Sequence, residues 1–283
     1  MSINGWRYYN HAMVPNGRPD EEPDLTPIKN GDIWKNVRGG GTPLLARWTS
    51  DWDCGFETVW WYTICDKPLN LTETKSNYRY KINKGSKNFD VHEIDPMEHI
   101  EELYHVFIAA YNSWPAKYRP QFTHENMITL AQALKNDKQM ICYGAFYRPS
   151  NELCGFMQVP TYESHVELQV QRVNPEYEKL QINAALVRYL LECNSENLKK
   201  KNFYILDGAR SINHETHFQD YLEKYFGFRK AYCKLHVTYN PKIKWMIPLL
   251  YSMRKMLIKF DDIGIIHQVN AILKMEEIVR NQT

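Results

Sequence analysis

Residues 166–197 read VELQVQRVNPEYEKLQINAALVRYLLECNSEN, and this stretch decides how the rest of the chain is organised. The spacing predicts a strand over Val166–Val173, broken by Pro175 two residues later. Ile182, Ala185, Leu186, Tyr189 and Leu190 then recur at helical spacing, which predicts a helix over Ile182–Asn197. A strand, a short polar loop and a strongly periodic helix therefore follow one another.

Upstream of that unit, FDVHEI (Phe89–Ile94) reads as a strand, and Pro96–Tyr111 and Thr123–Lys135 read as helices. The second of these opens with the capping pattern Thr123-x-x-Asn126. Met140–Tyr147 and Glu152–Pro160 read as a hairpin turning at Arg148–Asn151. Downstream, Phe203–Leu206 is a short strand, and Thr216-x-x-Gln219 starts a helix that stops at Gly227. Ala231–Tyr239 is a last strand. The order is strand, two helices, three strands, helix, strand, helix, strand: an α/β (α+β) pattern with a mixed sheet. Before it, Phe56–Cys65 is a buried strand, and Ser76–Asn88 is a short basic amphipathic helix interrupted by Gly85. Its lysines form a solvated face or, alternatively, bind phosphate. Residues 14–43, rich in Pro, Gly, Asp and Glu, read as an extended arm or loops.

The pattern Glu167-Leu168-x-x-Gln171-x-Val173-x-Pro175-x-Tyr177 with Ile182 and Leu186 resembles the central motif of the GNAT acetyltransferases. Thr216 to Phe228 (THFQDYLEKYFGF) resembles the late helix of that superfamily. The resemblance implies a mostly antiparallel mixed central sheet flanked by helices, and acetyl-coenzyme A as acyl donor. It implies that Val173, Tyr177, Lys179, Gln181, Ile182 and Asn183 border the cofactor. Amide hydrogens at a helix start hold a diphosphate with help from the helix dipole. It implies further that Glu167 accepts the amine proton and that Tyr221 or Tyr225 assists the departing thiolate. The chain departs from the family's Q/R-x-x-G-x-G/A loop, carrying Glu178, Gln181 and Asn183 at those positions, and it has Glu223 where a tyrosine is common. Leu69 to Val91, with Arg79-x-x-Ile82-x-Lys84-Gly85, also resembles the entry to the second lobe of FemAB-type transferases, with a truncated first lobe.

Other residues admit two readings. Glu167 is a base or a strand-end carboxylate paired with a neighbour. Asp207, Arg210 and His214, in the loop after the short strand, bind an anionic or sugar-like substrate or pair locally. The six cysteines lack C-x-x-C spacing and read as mostly buried thiols, and no histidine spacing implies a metal. The net charge of +2 gives no general footprint for nucleic acid, unless aminoacyl-tRNA is the donor. The N-terminus lacks signal-peptide character, and Trp245–Met253 is too short to span a bilayer, so a cytoplasmic protein is expected. Lys242–Lys259 packs on its own domain or a second subunit, with peripheral membrane contact as the alternative. The expected organisation is an aromatic-rich region at 1–88, the acyltransferase-like domain at 89–240 and a helical extension at 241–283. The expected activity is acyl transfer from acetyl-coenzyme A to an amine on an amino sugar or surface-glycan precursor. The alternatives are a non-catalytic GNAT-like domain that binds a glycan or protein partner, or a FemAB-like aminoacyl transferase.

Overall fold

The computed structural model describes residues 2–3, 5–35, 41–212 and 217–282. The chain begins with β1 (Ser2–Ile3), β2 (Trp6–Tyr9), β3 (Ala12–Pro15), α1 (Thr26–Lys29), β4 (Leu45–Ser50) and β5 (Trp60–Cys65). It continues with α2 (Ser76–Asn88), β6 (Phe89–Glu93), α3 (Ile100–Asn112), α4 (His124–Asn136), β7 (Met140–Tyr147) and β8 (Glu152–Pro160). Next come β9 (His165–Glu167), β10 (Val170–Val173), α5 (Ile182–Cys193), β11 (Tyr204–Ala209), α6 (His217–Phe226) and β12 (Arg229–Tyr239). Four helices close the chain: α7 (Pro241–Lys244), α8 (Ile247–Ser252), α9 (Arg254–Leu257) and α10 (Gly264–Arg280). These elements form two compact units. One comprises Met1–Tyr62, Ala209–Thr216 and Lys230–Thr283; the other comprises Thr63–Gly208 and His217–Arg229.

In the first unit β2 and β3 form a hairpin whose turn residues, Asn10 and His11, are both left-handed. That twist matches the strands, and the missing glycine hid the hairpin from sequence reading. β3 runs parallel to β4, which pairs antiparallel with β12. The stretch expected as an extended arm or loops is mostly loop among its described residues, and it contributes Ile33 to a small core with Trp6, Met13 and Ala46. The Trp6 indole donates to the Asp24 carbonyl at 2.9 Å, so the large ring is buried with its one polar atom satisfied. A second core joins Leu45, Trp60, Leu235 and Tyr239 to Met275 and Ile278 of α10. The Gln282 side chain fastens the chain end by bonding both the N–H and the carbonyl of Leu235 at 2.8 Å.

The second unit is a mixed, mostly antiparallel sheet flanked by helices, a GNAT-like architecture. Its four-stranded sheet runs β10-β8-β7-β6 with every pair antiparallel, and the expected hairpin is present as β7 and β8. On one face α3 and α4 bury Leu103, Val106, Phe107 and Met127 against Phe156. The Thr123–Asn126 capping box starts α4. On the other face α5 buries Ile182, Leu186 and Leu190. Side chains of this size contribute roughly 1.5–3 kcal/mol each when fully buried. Gly155 lets α5 sit this close, because a Cβ there would lie 2.9 Å from Ile182 Cδ1. The strand expected as one piece over Val166–Val173 is two. The Leu168 N–H bonds the Leu206 carbonyl at 2.8 Å, and the next N–H, of Gln169, bonds Gln158 at 3.1 Å. Pairing with β11, parallel to β9, thus ends at Leu168, while the β8 side, already bridged at Thr161–Val166, continues antiparallel along β10. Beyond that point β10 and the end of β11 diverge.

Candidate functional site

The divergence leaves β10 as the edge of its sheet, with β8 on one side and, among the described residues, no strand on the other. Its unpaired backbone groups can bond an extended, amide-bearing ligand. Val173 is buried in the core, so only its main chain can serve this edge. Residues Pro175–Leu180 coil into a 3-10 turn, whose amides at Tyr177 and Gln181 are spent on Asn174 and Glu178. Ala185 makes the first helical bond of α5, back to Gln181. The amides of Ile182, Asn183 and Ala184 precede that bond. No side chain caps this start, and no carboxylate lies in its first turn. Such an end carries partial positive charge and accepts an anion. The Ile182 side chain itself is core.

Gln181 stands in the left-handed region at φ 69, a conformation that glycine adopts without steric cost. A non-glycine residue there costs about 1–2 kcal/mol. Gln181→Gly is expected to hold or slightly raise the urea midpoint, since relief of strain is offset by the freer unfolded chain. Gln181→Val, with a branched Cβ, is expected to fall at least about 2 kcal/mol below the glycine variant. Equal midpoints for the two would show that the backbone at this position relaxes freely.

Beside the α5 start, the Gln171 amide donates to Asn183 Oδ1 at 2.6 Å. The Gln171 side-chain oxygen, Oε1, is buried without a partner. A buried orphan acceptor costs about 1–3 kcal/mol, which a donor on a bound molecule would recover. The next residue, Arg172, points to the opposite side of the strand and lies over the Tyr111 and Trp114 rings. The loop is braced from α2. Lys84 donates to the Lys179 carbonyl at 2.9 Å and Asn88 to the Leu180 carbonyl at 3.3 Å. Among the described residues the exposed Lys179 ammonium has no hydrogen-bond or ion-pair partner. Tyr177 donates its hydroxyl to Glu152 at 2.8 Å and packs on Phe89 and Tyr147. Burial, with that acceptor, holds its acidity down.

Across the divergence, Asp207 follows the last β11 residue paired with β9. It is half-buried, and desolvation lifts its carboxyl from 3.8 to about 6, opposed by a hydrogen bond from Gln219 of α6 at 3.1 Å. Gly208 follows at φ +128 with open space where a side chain would stand. A carboxyl tuned toward neutrality beside open space has the properties of a general base. Glu167 lies elsewhere. Val166 packs into the α5-side core, so alternation turns His165 and Glu167 to the opposite face of the sheet. There buried His165 stacks between Tyr162 and Tyr204, with Nε2 3.5 Å from the Glu167 carboxylate. Tyr221 and Tyr225 lie about 200° and 240° around α6 from Gln219. Their rings lie 4.9 Å apart, and that of Tyr225 meets Tyr78 and Lys81 of α2, with Lys81 donating to the Tyr225 hydroxyl at 3.1 Å. Arg210 belongs to the first unit, where it bonds the Val59 carbonyl at 2.5 Å and lies over the Trp61 ring. His214 lies outside the described residues, as does the Thr216 cap.

Burial pushes the thiols of Cys142 and Cys233 up to about 12 and those of Cys65 and Cys154 up to about 11. None of the four is a thiolate nucleophile near neutral pH. Among the described residues no group of His, Cys, Asp or Glu could hold a metal ion, and no helix is long and apolar enough to cross a membrane. Sequence reasoning gave Asp207 as a substrate-binding or a locally paired carboxylate; its raised proton affinity, which desolvation creates, leaves no mark in the sequence.

No family model and no curated protein matches the chain. Among solved structures, L-PGS from Bacillus licheniformis is similar at 15% identity over 98% of this chain and 86% of that one, with a TM-score of 0.52. A functionally unknown conserved protein from Staphylococcus epidermidis is similar at 10% identity over 84% and 91%, TM-score 0.47. An acetyltransferase from Thermus thermophilus is similar at 13% identity over 54% and 97%, TM-score 0.39. At such identities the likeness to L-PGS is one of fold.

Proposed function

We propose that the second unit moves an acyl group from acetyl-coenzyme A to an amine, on an amino sugar or a surface-glycan precursor. The observation that carries this reading is the end of β11 pairing at Leu168, which leaves an open strand edge on β10 leading to an uncapped helix start, and a carboxyl raised to about 6 on β11. The uncapped amides and the orphan Gln171 acceptor fit a diphosphate and an amide-bearing arm. When bound, the thioester supplies an acyl carbon activated toward amines. The chain's own part is to orient and to move a proton. The Ile182–Ala184 amides hold the anion, Gln171 and the β10 edge hold the arm, and Asp207 takes the proton from the attacking amine. Gln219 positions the Asp207 carboxylate. The tyrosines of α6 serve as its packing seam with α2.

The test is thermal unfolding with acetyl-coenzyme A, followed by thiol release in the presence of amino sugars. A ligand at about 100 times its Kd stabilises by about 2.7 kcal/mol. No shift at millimolar acetyl-coenzyme A would sink the acetyl reading. Because the base must be ionised, thiol release is expected to rise as pH passes about 6. A FemAB-like aminoacyl transfer is a second reading. It draws on the likeness to L-PGS, which spans 98% of the chain and thus both units. Stabilisation by aminoacyl-tRNA but not by acetyl-coenzyme A would favour it.

A further inference from the structure

Independently of that reading, the C-terminal part of the first unit carries a surface that its own core leaves uncovered. Ile247, 4% exposed, and Ile243 anchor α7 and α8 to the core. Leu250, Tyr251 and Leu257 are half-buried, and most other large apolar side chains of the segment are exposed. Trp245 is 71% exposed, Ile258 65% and Leu249 60%, with Met256 and Phe260 near half. Single exposed apolar residues are ordinary, but a contiguous run of them marks a contact surface. Charge along the run itself is positive, with Asp261 and Asp262 following at its end. Residues 241–260 hold five cations, Lys242, Lys244, Arg254, Lys255 and Lys259, and no carboxylate, while the whole chain has a net charge of only +2. Arg254 is engaged by Glu277 and Tyr251. The four lysines are exposed, and none forms an ion pair among the described residues.

We propose that this face docks on the surface of an anionic lipid bilayer. The Trp, Leu, Ile and Phe side chains would enter the headgroup boundary while the lysines meet lipid phosphates. The lysines decide between occupants. Protein–protein contacts are depleted in Lys at their core, whereas apolar residues mixed with Lys and Trp suit an anionic membrane interface. With no spanning helix among the described residues, the contact would be peripheral.

Co-flotation of the full chain tests this, using vesicles of phosphatidylcholine alone and vesicles containing phosphatidylglycerol. Flotation with the anionic vesicles only, declining as salt screens the charges, is expected. Each cation near the surface is worth about fivefold in partitioning, so Lys255→Glu/Lys259→Glu is expected to bind at least about 25-fold more weakly. Trp245→Ala/Leu249→Ala is expected to lose flotation with an unchanged circular dichroism spectrum. Recovery in the unbound fraction with both vesicle types at low salt would overturn the proposal. So would a dimer by light scattering that the Trp245→Ala/Leu249→Ala change dissolves while no vesicle binds, which would assign the face to a second copy.

Discussion

At pH 8 the Asp207→Asn protein is expected to be more stable than the parent by up to about 3 kcal/mol and about 10²–10⁴-fold less active. Burial raises the Asp207 carboxyl from 3.8 to about 6 in the folded chain. The folded protein therefore keeps a proton that the unfolded chain has released. Stability falls as pH rises between about 4 and 6, and above that window the full cost of the buried charge is present. Asparagine carries no charge and removes that cost. A shift of about two units corresponds to about 3 kcal/mol, and less to the extent that solvent reaches the carboxyl. The stability difference should vanish below about pH 4, where both proteins carry a neutral group. Thermal unfolding at pH 4 and pH 8 checks this, with thiol release as the second readout. A gap of equal size at both pH values would remove the desolvated carboxyl, and with it the proposed base.

The second large effect is expected at Gly85. A Cβ there would sit 2.5 Å from the Gln181 carbonyl oxygen and 2.9 Å from the Ala185 nitrogen. Both are backbone atoms of the α5 start, so neither can swing aside as a side-chain tip would. Gly→Ala in a helix would otherwise gain about 1 kcal/mol. Overpacking costs about 1–3 kcal/mol, and a contact this short against backbone belongs at the upper end. Gly85→Ala is therefore expected to lose about 2 kcal/mol net and to push the Lys179–Asn183 loop away from α2, weakening acetyl-coenzyme A binding with it. Urea midpoints and titration with the cofactor check the two parts. A midpoint that rises would show that helix propensity wins and that the two helices are free to separate.

Local signals carried much of the fold. The β7–β8 hairpin, the Thr123–Asn126 cap, the basic helix at Ser76–Asn88 and the long C-terminal helix follow from spacing and turn chemistry, which neighbouring residues decide. What escaped depends on tertiary placement. Alternation predicts a strand over 166–173 but does not choose its partners, and the loss of β11 beyond Leu168 leaves no mark in residue type. Gly85 reads as a flaw in a helix until another backbone is found against it. Asn10-His11 makes a tight turn without the expected glycine. The site residues divide in the same way. The turn and uncapped helix start around Gln181–Asn183 were legible because loop and helix start lie together in sequence. Asp207 acquires its proton affinity from surroundings that no local pattern reveals, and Glu167 is turned to the other face of the sheet by strand alternation and packing.

The pairing of Leu45 with Tyr239 has a temporal side. While the chain is being synthesised, the β4 edge that will receive β12 has to wait for a partner encoded 239 − 45 = 194 residues later. At about 5–20 residues per second, that wait lasts roughly 10–40 seconds on the ribosome. A strand edge left unpaired for so long is a template for sticking to other nascent chains. Yield in a cell will then follow how well chaperones shield residues 45–50 during translation, rather than how stable the finished protein is.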